Sequence, residues 1–293
     1  MANQPKIGFI GIGLMGTPMT RRLIDAGYQV AVWGRSPEKT KPLVQHGAIA
    51  VQSIADLVQF SDIIMLCVSD TEAVESIVFS DGGVIDFARP GQVLVDFSSI
   101  DPQKTRKFAN ELYKKAKVHW VDAPVSGGVA GATSGRLVVM AGGDEHVIND
   151  LRPLLDHLSQ RVTYMGPQGS GQTTKLCNQI LVGCNVLVMA EVLALAEKAG
   201  VESAKIPEAL KGGFADSIPL QITGVRMANR DFDEVKWHVQ TLLKDLMMAW
   251  TLTESIDGHT PMANLAMELM RKYADSGFAE LDPSTLIQVY IDK

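Results

Sequence analysis

Lys175 is the side chain whose setting most invites chemistry. It lies in Gly166-Pro-Gln-Gly-Ser-Gly-Gln-Thr-Thr-Lys175-Leu-Cys-Asn178-Gln179, ahead of an apolar run that reaches Gly200. Pro167 and the glycines keep the approach non-helical, Ser170 can cap a start and Gly200 supplies a stop. The spacing therefore predicts one helix of roughly eight turns, about 45 Å long at 1.5 Å per residue. Residues three and four apart share a helix face, which puts Lys175, Asn178 and Gln179 together in its first turns. The positive end of the helix dipole and burial both disfavour the lysine's charge, so its pKa is expected to fall toward neutrality, where an amine can give or take a proton. The alternative, a solvated surface lysine, sits poorly with the almost wholly apolar helix that follows.

A second chemical signal opens the chain. Lys6-Ile-Gly-Phe-Ile10 reads as a strand, Gly11-Ile12-Gly13-Leu14-Met15-Gly16 as a glycine turn, and Met19, Leu23, Ile24 and Ala26 as one face of a helix. Strand, G-x-G-x-x-G and helix in that order make a dinucleotide-binding unit. Its glycines allow the turn, the approach of a pyrophosphate to backbone, and helix-strand packing, with the phosphates at the helix N-terminus. The next strand, Gln29 to Trp33, ends in Gly34-Arg35-Ser36-Pro37-Glu38-Lys39. No acid stands at its tip to hold ribose hydroxyls, whereas Arg35, Ser36 and Lys39 can surround a 2′-phosphate, which predicts a preference for NADP(H). Arg35 as an ordinary exposed loop residue is the alternative.

Two further strand ends carry polar groups. Phe97-Ser98-Ser99-Ile100 follows the strand Gln92 to Asp96, where open sheets place their ligands; either serine can instead cap the next helix. Asp122-Ala-Pro-Val-Ser126-Gly127-Gly128 follows the strand Val118 to Val121. Its hydroxyl and bare backbone amides can hold a carboxylate, or the glycines can simply make a turn.

The elements that must position these groups alternate up to Met165. Strands are expected at Ala48–Val51, Asp62–Val68, Leu137–Gly143 and Val162–Met165, and helices at Pro42–His46, Ile54–Phe60, Thr71–Phe79, Pro102–Lys115 and Glu145–Leu158. The continuous apolar strands suit a parallel sheet covered on both faces. Beyond Gly200 only helical patterns occur, at 207–211, 220–229, 239–255 and 261–276. The fold class is thus α/β: an N-terminal Rossmann-type doubly wound domain over residues 1–166, then an all-α domain over 167–293 that begins with the long joining helix.

With 293 residues, 46% hydrophobic and 20% charged, the chain has length for a sizeable core. A net charge of −6 gives no electrostatic footprint for nucleic acid or an anionic membrane, so small molecules are the expected partners. Cys67, Cys177 and Cys184 have no metal-ligand spacing, and their odd number suits a reducing cytosol. Met1–Lys6 lacks the pattern of a secretory signal. Leu176 to Ala196 imitates a membrane span in length, but Asn178, Gln179, Asn185 and Glu191 interrupt it, so a buried central helix is expected.

Four segments in order carry a family resemblance: Phe9-Ile-Gly-Ile-Gly-Leu-Met-Gly-Thr-Pro-Met19, Asp122-Ala-Pro-Val-Ser-Gly-Gly128, Gly169-Ser-Gly-Gln-Thr-Thr-Lys-Leu-Cys-Asn178 and Leu243-Lys-Asp-Leu246. The chain resembles the β-hydroxyacid dehydrogenases, the group of 3-hydroxyisobutyrate dehydrogenase, tartronate semialdehyde reductase and the glyoxylate/succinic semialdehyde reductases. The resemblance implies that Lys175 is catalytic and that Asn178 contacts substrate. It implies that Ser126, Gly127 and Gly128 take the substrate carboxylate and that Ser99 approaches substrate and nicotinamide. Lys244 matches a lysine near the cofactor, and Asp245 the acid beside it. Trp237 stands where many relatives have phenylalanine near the substrate.

Hydride transfer between nicotinamide and a carbonyl needs a proton for the developing alkoxide, which Lys175 can supply without a metal. The expected reaction interconverts a small carboxylate-bearing aldehyde and its hydroxy acid. A 3-hydroxyisobutyrate-type oxidation is the near alternative. An imine reductase is disfavoured by Lys175 and the Ser-Gly-Gly loop, and a non-catalytic scaffold by retention of the lysine. The long apolar helix and methionines such as Met247, Met248, Met262, Met267 and Met270 predict a homodimer or homotetramer, with ordinary core packing as the alternative.

Overall fold

The computed structural model describes residues 4–291, so the start of the Met1–Lys6 segment lies outside it. The chain divides into two compact units, Met1–Lys175 and Leu176–Lys293.

Among the described residues the first unit is built on nine strands: β1 (Ile7–Ile10), β2 (Val30–Trp33), β3 (Ile49–Ala50), β4 (Ile63–Leu66), β5 (Val93–Asp96), β6 (His119–Asp122), β7 (Val125–Ser126), β8 (Leu137–Gly142) and β9 (Ser159–Gly166). Their order is β3-β2-β1-β4-β5-β6-β8-β7, with β9 beside β8. From β3 to β6 every pair is parallel. At the far edge β8 runs antiparallel to β6 and β7 and parallel to β9, so the sheet is mixed there rather than parallel throughout. Strand order reverses at β1 and β4, and the crevice outside the carboxyl ends of such strands is where open sheets hold ligands.

Eight helices cover this sheet: α1 (Gly16–Asp25), α2 (Pro37–Gln45), α3 (Ile54–Phe60), α4 (Thr71–Phe79), α5 (Val84–Phe87), α6 (Pro102–Ala116), α7 (Gly128–Ser134) and α8 (Glu145–Leu155). Both faces are buried, which is why β1 and β4 read as unbroken apolar runs. Phe9 joins Met19, Leu23, Val32 and Val121 in one cluster, while its neighbour Ile10 joins Leu66, Leu94, Phe108 and Trp120 in another, as the two-residue pleat requires. Helix α2 starts at Pro37, earlier than the expected Pro42, because a proline in the first turn gives up an N–H that has no helical partner anyway.

α9 (Ser170–Lys198) is continuous over 29 residues and runs from the first unit into the second. The second unit adds α10 (Ile206–Leu210), α11 (Val225–Asn229), α12 (Val239–Ser255), α13 (Pro261–Tyr273) and α14 (Gln288–Ile291), with π-helical turns at Leu220–Gly224 and Ala274–Phe278. Among the described residues no strand follows β9. Val186, Ala190 and Leu193 of α9 pack with Leu242 and Leu246 of α12 and Met267 and Met270 of α13. Only one side of α9 is buried in this way, although the sequence reads as a buried central helix. Leu181 is 73% and Leu195 66% exposed, with Val188 and Val192 also exposed. By length and composition α9 could cross a membrane; its buried face forms the core of the helical unit.

Candidate active site

The start of α9 is held by the end of β6. Asp122 Oδ1 accepts from the Gly169 N–H at 2.8 Å and Oδ2 from the Gln172 N–H at 3.0 Å. Gly169 immediately precedes the helix and Gln172 is its third residue, so one buried carboxylate makes both bonds of a capping box from elsewhere in the chain. Ser170, the expected cap, is instead the first helical residue, and its carbonyl accepts the Thr174 hydroxyl. The amides expected to act on Lys175 as a bare positive terminus are therefore taken up by the Asp122 carboxyl group. Lys175, one turn further on, is 9% exposed.

Asp122 has an acidic neighbour. Asp96 occupies the paired position on β5 and is fully buried. Its Oδ1 accepts from the Ser98 N–H at 2.9 Å, while Oδ2 makes no hydrogen bond. Burial pushes the Asp96 carboxyl up to about 7; its bonds to Ser98 oppose the rise and the charge of Asp122 adds to it. Burial also raises Asp122, against the pull of the amides it accepts from. Two buried acids side by side disfavour being ionised together, and the one bound by helix amides holds a charge more readily than the one whose Oδ2 has no partner. Burial, and secondarily Asp96, push the Cys67 thiol up to about 12, which removes it as a nucleophile at neutral pH.

The serines after β5 do not cap α6. Asp101 does, its Oδ1 accepting from the amides of Gln103 and Lys104 at 2.6 and 3.0 Å. Ser98 is buried and its hydroxyl accepts from the Val68 N–H at 3.0 Å, so it ties the β4 and β5 ends together. Ser99 keeps partial exposure. Ser126 ends β7 half-buried, followed by Gly127 and Gly128 at φ +124° and +59°. A Cβ on Gly128 would meet nothing within 4 Å, so this backbone is open to a ligand.

Three glycines of the first turn divide the labour. Gly11 has φ +101°, and a Cβ there would lie 2.1 Å from the Cys67 carbonyl oxygen. At Gly16 it would lie 2.0 Å from the Gly11 carbonyl oxygen, whereas at Gly13 it would meet nothing within 4 Å. Gly11 and Gly16 are thus required by the fold, and Gly13 leaves bare backbone facing space. Met15 provides no side-chain cap to α1, and the first turn contains no acid. Ile12 is buried and Leu14 exposed. Open backbone at an uncapped helix start fits a dinucleotide pyrophosphate. Arg35, Ser36 and Lys39 are exposed beyond β2, and Glu38, the first acid after that strand, is paired with Lys41 at 2.9 Å.

In the second unit Asn178 donates to Gln179 Oε1 at 2.8 Å, and Gln179 donates to Asp245 Oδ2 at 2.6 Å. Lys244 Nζ lies 3.4 Å from Asp245 Oδ1. This chain links the amide expected at the substrate to the acid-base pair expected near the cofactor. Trp237 is half-buried against the helical core.

Known proteins resemble this chain over nearly its whole length. Residues 6–166 match the NAD binding domain of 6-phosphogluconate dehydrogenase, and residues 169–290 the NAD-binding domain of NADP-dependent 3-hydroxyisobutyrate dehydrogenase. The 2-hydroxy-3-oxopropionate reductase of Escherichia coli is 38% identical over 283 residues, covering 97% of this chain and 96% of that protein. The chain belongs to the β-hydroxyacid dehydrogenase family. The NAD-dependent L-serine dehydrogenase of Pseudomonas aeruginosa is 32% identical, with 97% of each chain covered. The 3-hydroxyisobutyrate dehydrogenase of Mycobacterium tuberculosis, solved with L-serine, superposes with a TM-score of 0.88 at 27% identity, covering 98% of this chain and 99% of that one. A β-hydroxyacid dehydrogenase of this kind is an oxidoreductase that uses a nicotinamide cofactor.

Asp122 and Gln172 join the ends of β5 and β6 to the start of α9, a linkage that residue spacing did not reveal. Asp122 stood inside a quoted motif but its partners lie far along the chain. Gln172 had a legible signal, a polar residue three positions before Lys175 and on the same helix face.

Proposed function

We propose that this enzyme reduces a small carboxylate-bearing aldehyde, a semialdehyde or glyoxylate, to its hydroxy acid at the expense of NADPH. The observation that carries the reading is a buried lysine, 9% exposed, on a helix start locked to the carboxyl ends of β5 and β6. The cofactor, when held on the glycine turn, would supply the hydride that the carbonyl carbon takes up. Lys175 Nζ gives a proton to the oxygen as charge develops there, and in the reverse direction takes it back. Ser126 and the backbone of Gly127 and Gly128 hold the carboxylate, and Ser99 and Asn178 orient the reacting end. Gly11 to Gly16 receive the pyrophosphate, and Arg35, Ser36 and Lys39 the 2′-phosphate. The Escherichia coli relative, named for an aldehyde that bears a carboxylate, supports the substrate class.

The test is kcat/KM with NADPH and NADH for 2-hydroxy-3-oxopropionate, succinic semialdehyde, glyoxylate and a cyclic imine. NADPH-dependent turnover of one of the three acids is expected. Equal use of NADH would refute the cofactor assignment, and turnover of the imine alone would refute the substrate class. Oxidation of a 3-hydroxyisobutyrate-type acid is the second reading, supported by the similarity of residues 169–290 to NADP-dependent 3-hydroxyisobutyrate dehydrogenase.

We also infer a homodimer or homotetramer. Leu181, Val188 and Leu195 recur every seven residues on the exposed side of α9, a spacing that suits a helix partner. Sedimentation at micromolar concentration is expected to give a multiple of the chain mass; a monomeric mass would overturn the inference.

A further inference from the structure

We propose that Gln172 is a positioning residue that fixes Ser99 against the helix turn preceding Lys175. The inference rests on the reading above, in which Ser99 and Lys175 face the reactants. Gln172 is 1% exposed, and its side-chain amide is used at both ends. Oε1 accepts from the Ile100 N–H at 3.2 Å, and Nε2 donates to the Ser98 carbonyl oxygen at 2.8 Å. These two groups flank Ser99, so the glutamine grips that residue from either side as the peptide of a neighbouring strand would. A carboxamide suits this because it places a donor and an acceptor on one planar group.

The grip is itself anchored. The Gln172 N–H is bound by Asp122 Oδ2, and Ser98 is tied to Val68 and Asp96. Lys175 lies three residues beyond Gln172 on the same helical face, so displacement of the Ser98–Ile100 segment changes the distance from Ser99 to the lysine. Reacting groups misplaced by about 1 Å can lose on the order of 10²-fold in rate.

The experiment is a double-mutant cycle of Gln172→Met and Ser99→Ala, followed with NADPH and 2-hydroxy-3-oxopropionate, with amide hydrogen exchange on the same proteins. Gln172→Met is expected to lower kcat by about 10- to 100-fold with a smaller change in the KM for NADPH, and to speed exchange at Ile100. The isotope effect from 4-deuterated NADPH should rise toward that of an exposed hydride step. In the Ser99→Ala background the same substitution should cost less than about threefold, because its effect acts through that serine. Additive losses, or unchanged exchange at Ile100, would overturn the proposal. Gln172→Asn, which keeps the amide but is too short to reach both groups, repeats the cycle should the methionine variant fold poorly. Failure of the underlying reading shows elsewhere, as undiminished turnover by Lys175→Ala whatever happens at Gln172.

Discussion

Lys175→Ala is expected to lower turnover by several orders of magnitude, at or beyond the ~10²–10⁴-fold typical of a lost general acid or base, while NADPH binding stays nearly intact. The split follows from where the groups lie. In the proposed site the dinucleotide lies on the glycine turn and the start of α1, whereas Lys175 belongs to a helix start held by β6. Removing the ammonium leaves the Asp122 bonds untouched, because they are made to backbone amides of Gly169 and Gln172. The alanine variant should therefore fold, bind NADPH with an affinity close to the parent's, and fail at the proton-coupled step. Near-normal kcat would sink the role. Parallel loss of cofactor binding would mean that the lysine supports the fold instead.

The sequence made the unit that binds the dinucleotide unusually legible. Buried parallel strands must be apolar on both faces, and each glycine of the first turn does a local job that neighbouring residues reveal. Helices α3, α4 and α12 begin and end where their helical patterns place them. Long-range polar bonds were the blind spot. Asp122 caps α9 from 47 positions away, and Gln172 reaches 74 positions back to Ser98; no period or propensity encodes such a partner. The two-residue strand β7 is too short to show alternation. An apolar helix also does not disclose which of its faces meets a core, so the exposed row Leu181, Val188 and Leu195 emerged only with the packing of Val186, Ala190 and Leu193.

The second large effect concerns pH. Asp96 has its carboxyl raised to about 7 by burial, so between its ordinary value near 4 and about 7 the folded protein holds a proton that the unfolded chain releases. Its contribution is fully present below the unfolded value and is lost as pH rises through the folded one. At pH 8 the native state must carry a buried carboxylate with a second acid, Asp122, beside it. Asp96→Asn keeps an acceptor for the Ser98 N–H and removes the titration. Relative to the parent, the variant should gain on the order of 2–4 kcal/mol in unfolding free energy between pH 5 and pH 8. Taking the difference between proteins cancels Asp282 and Glu197, whose lowered values give the opposite slope in both. Denaturant melts of both proteins at the two pH values, without cofactor, provide the comparison. Parallel pH dependences would show that Asp96 does not carry the proton. The proton would then sit on Asp122, whose amide bonds to α9 would form with a neutral acid, leaving the helix start that presents Lys175 without an anionic cap.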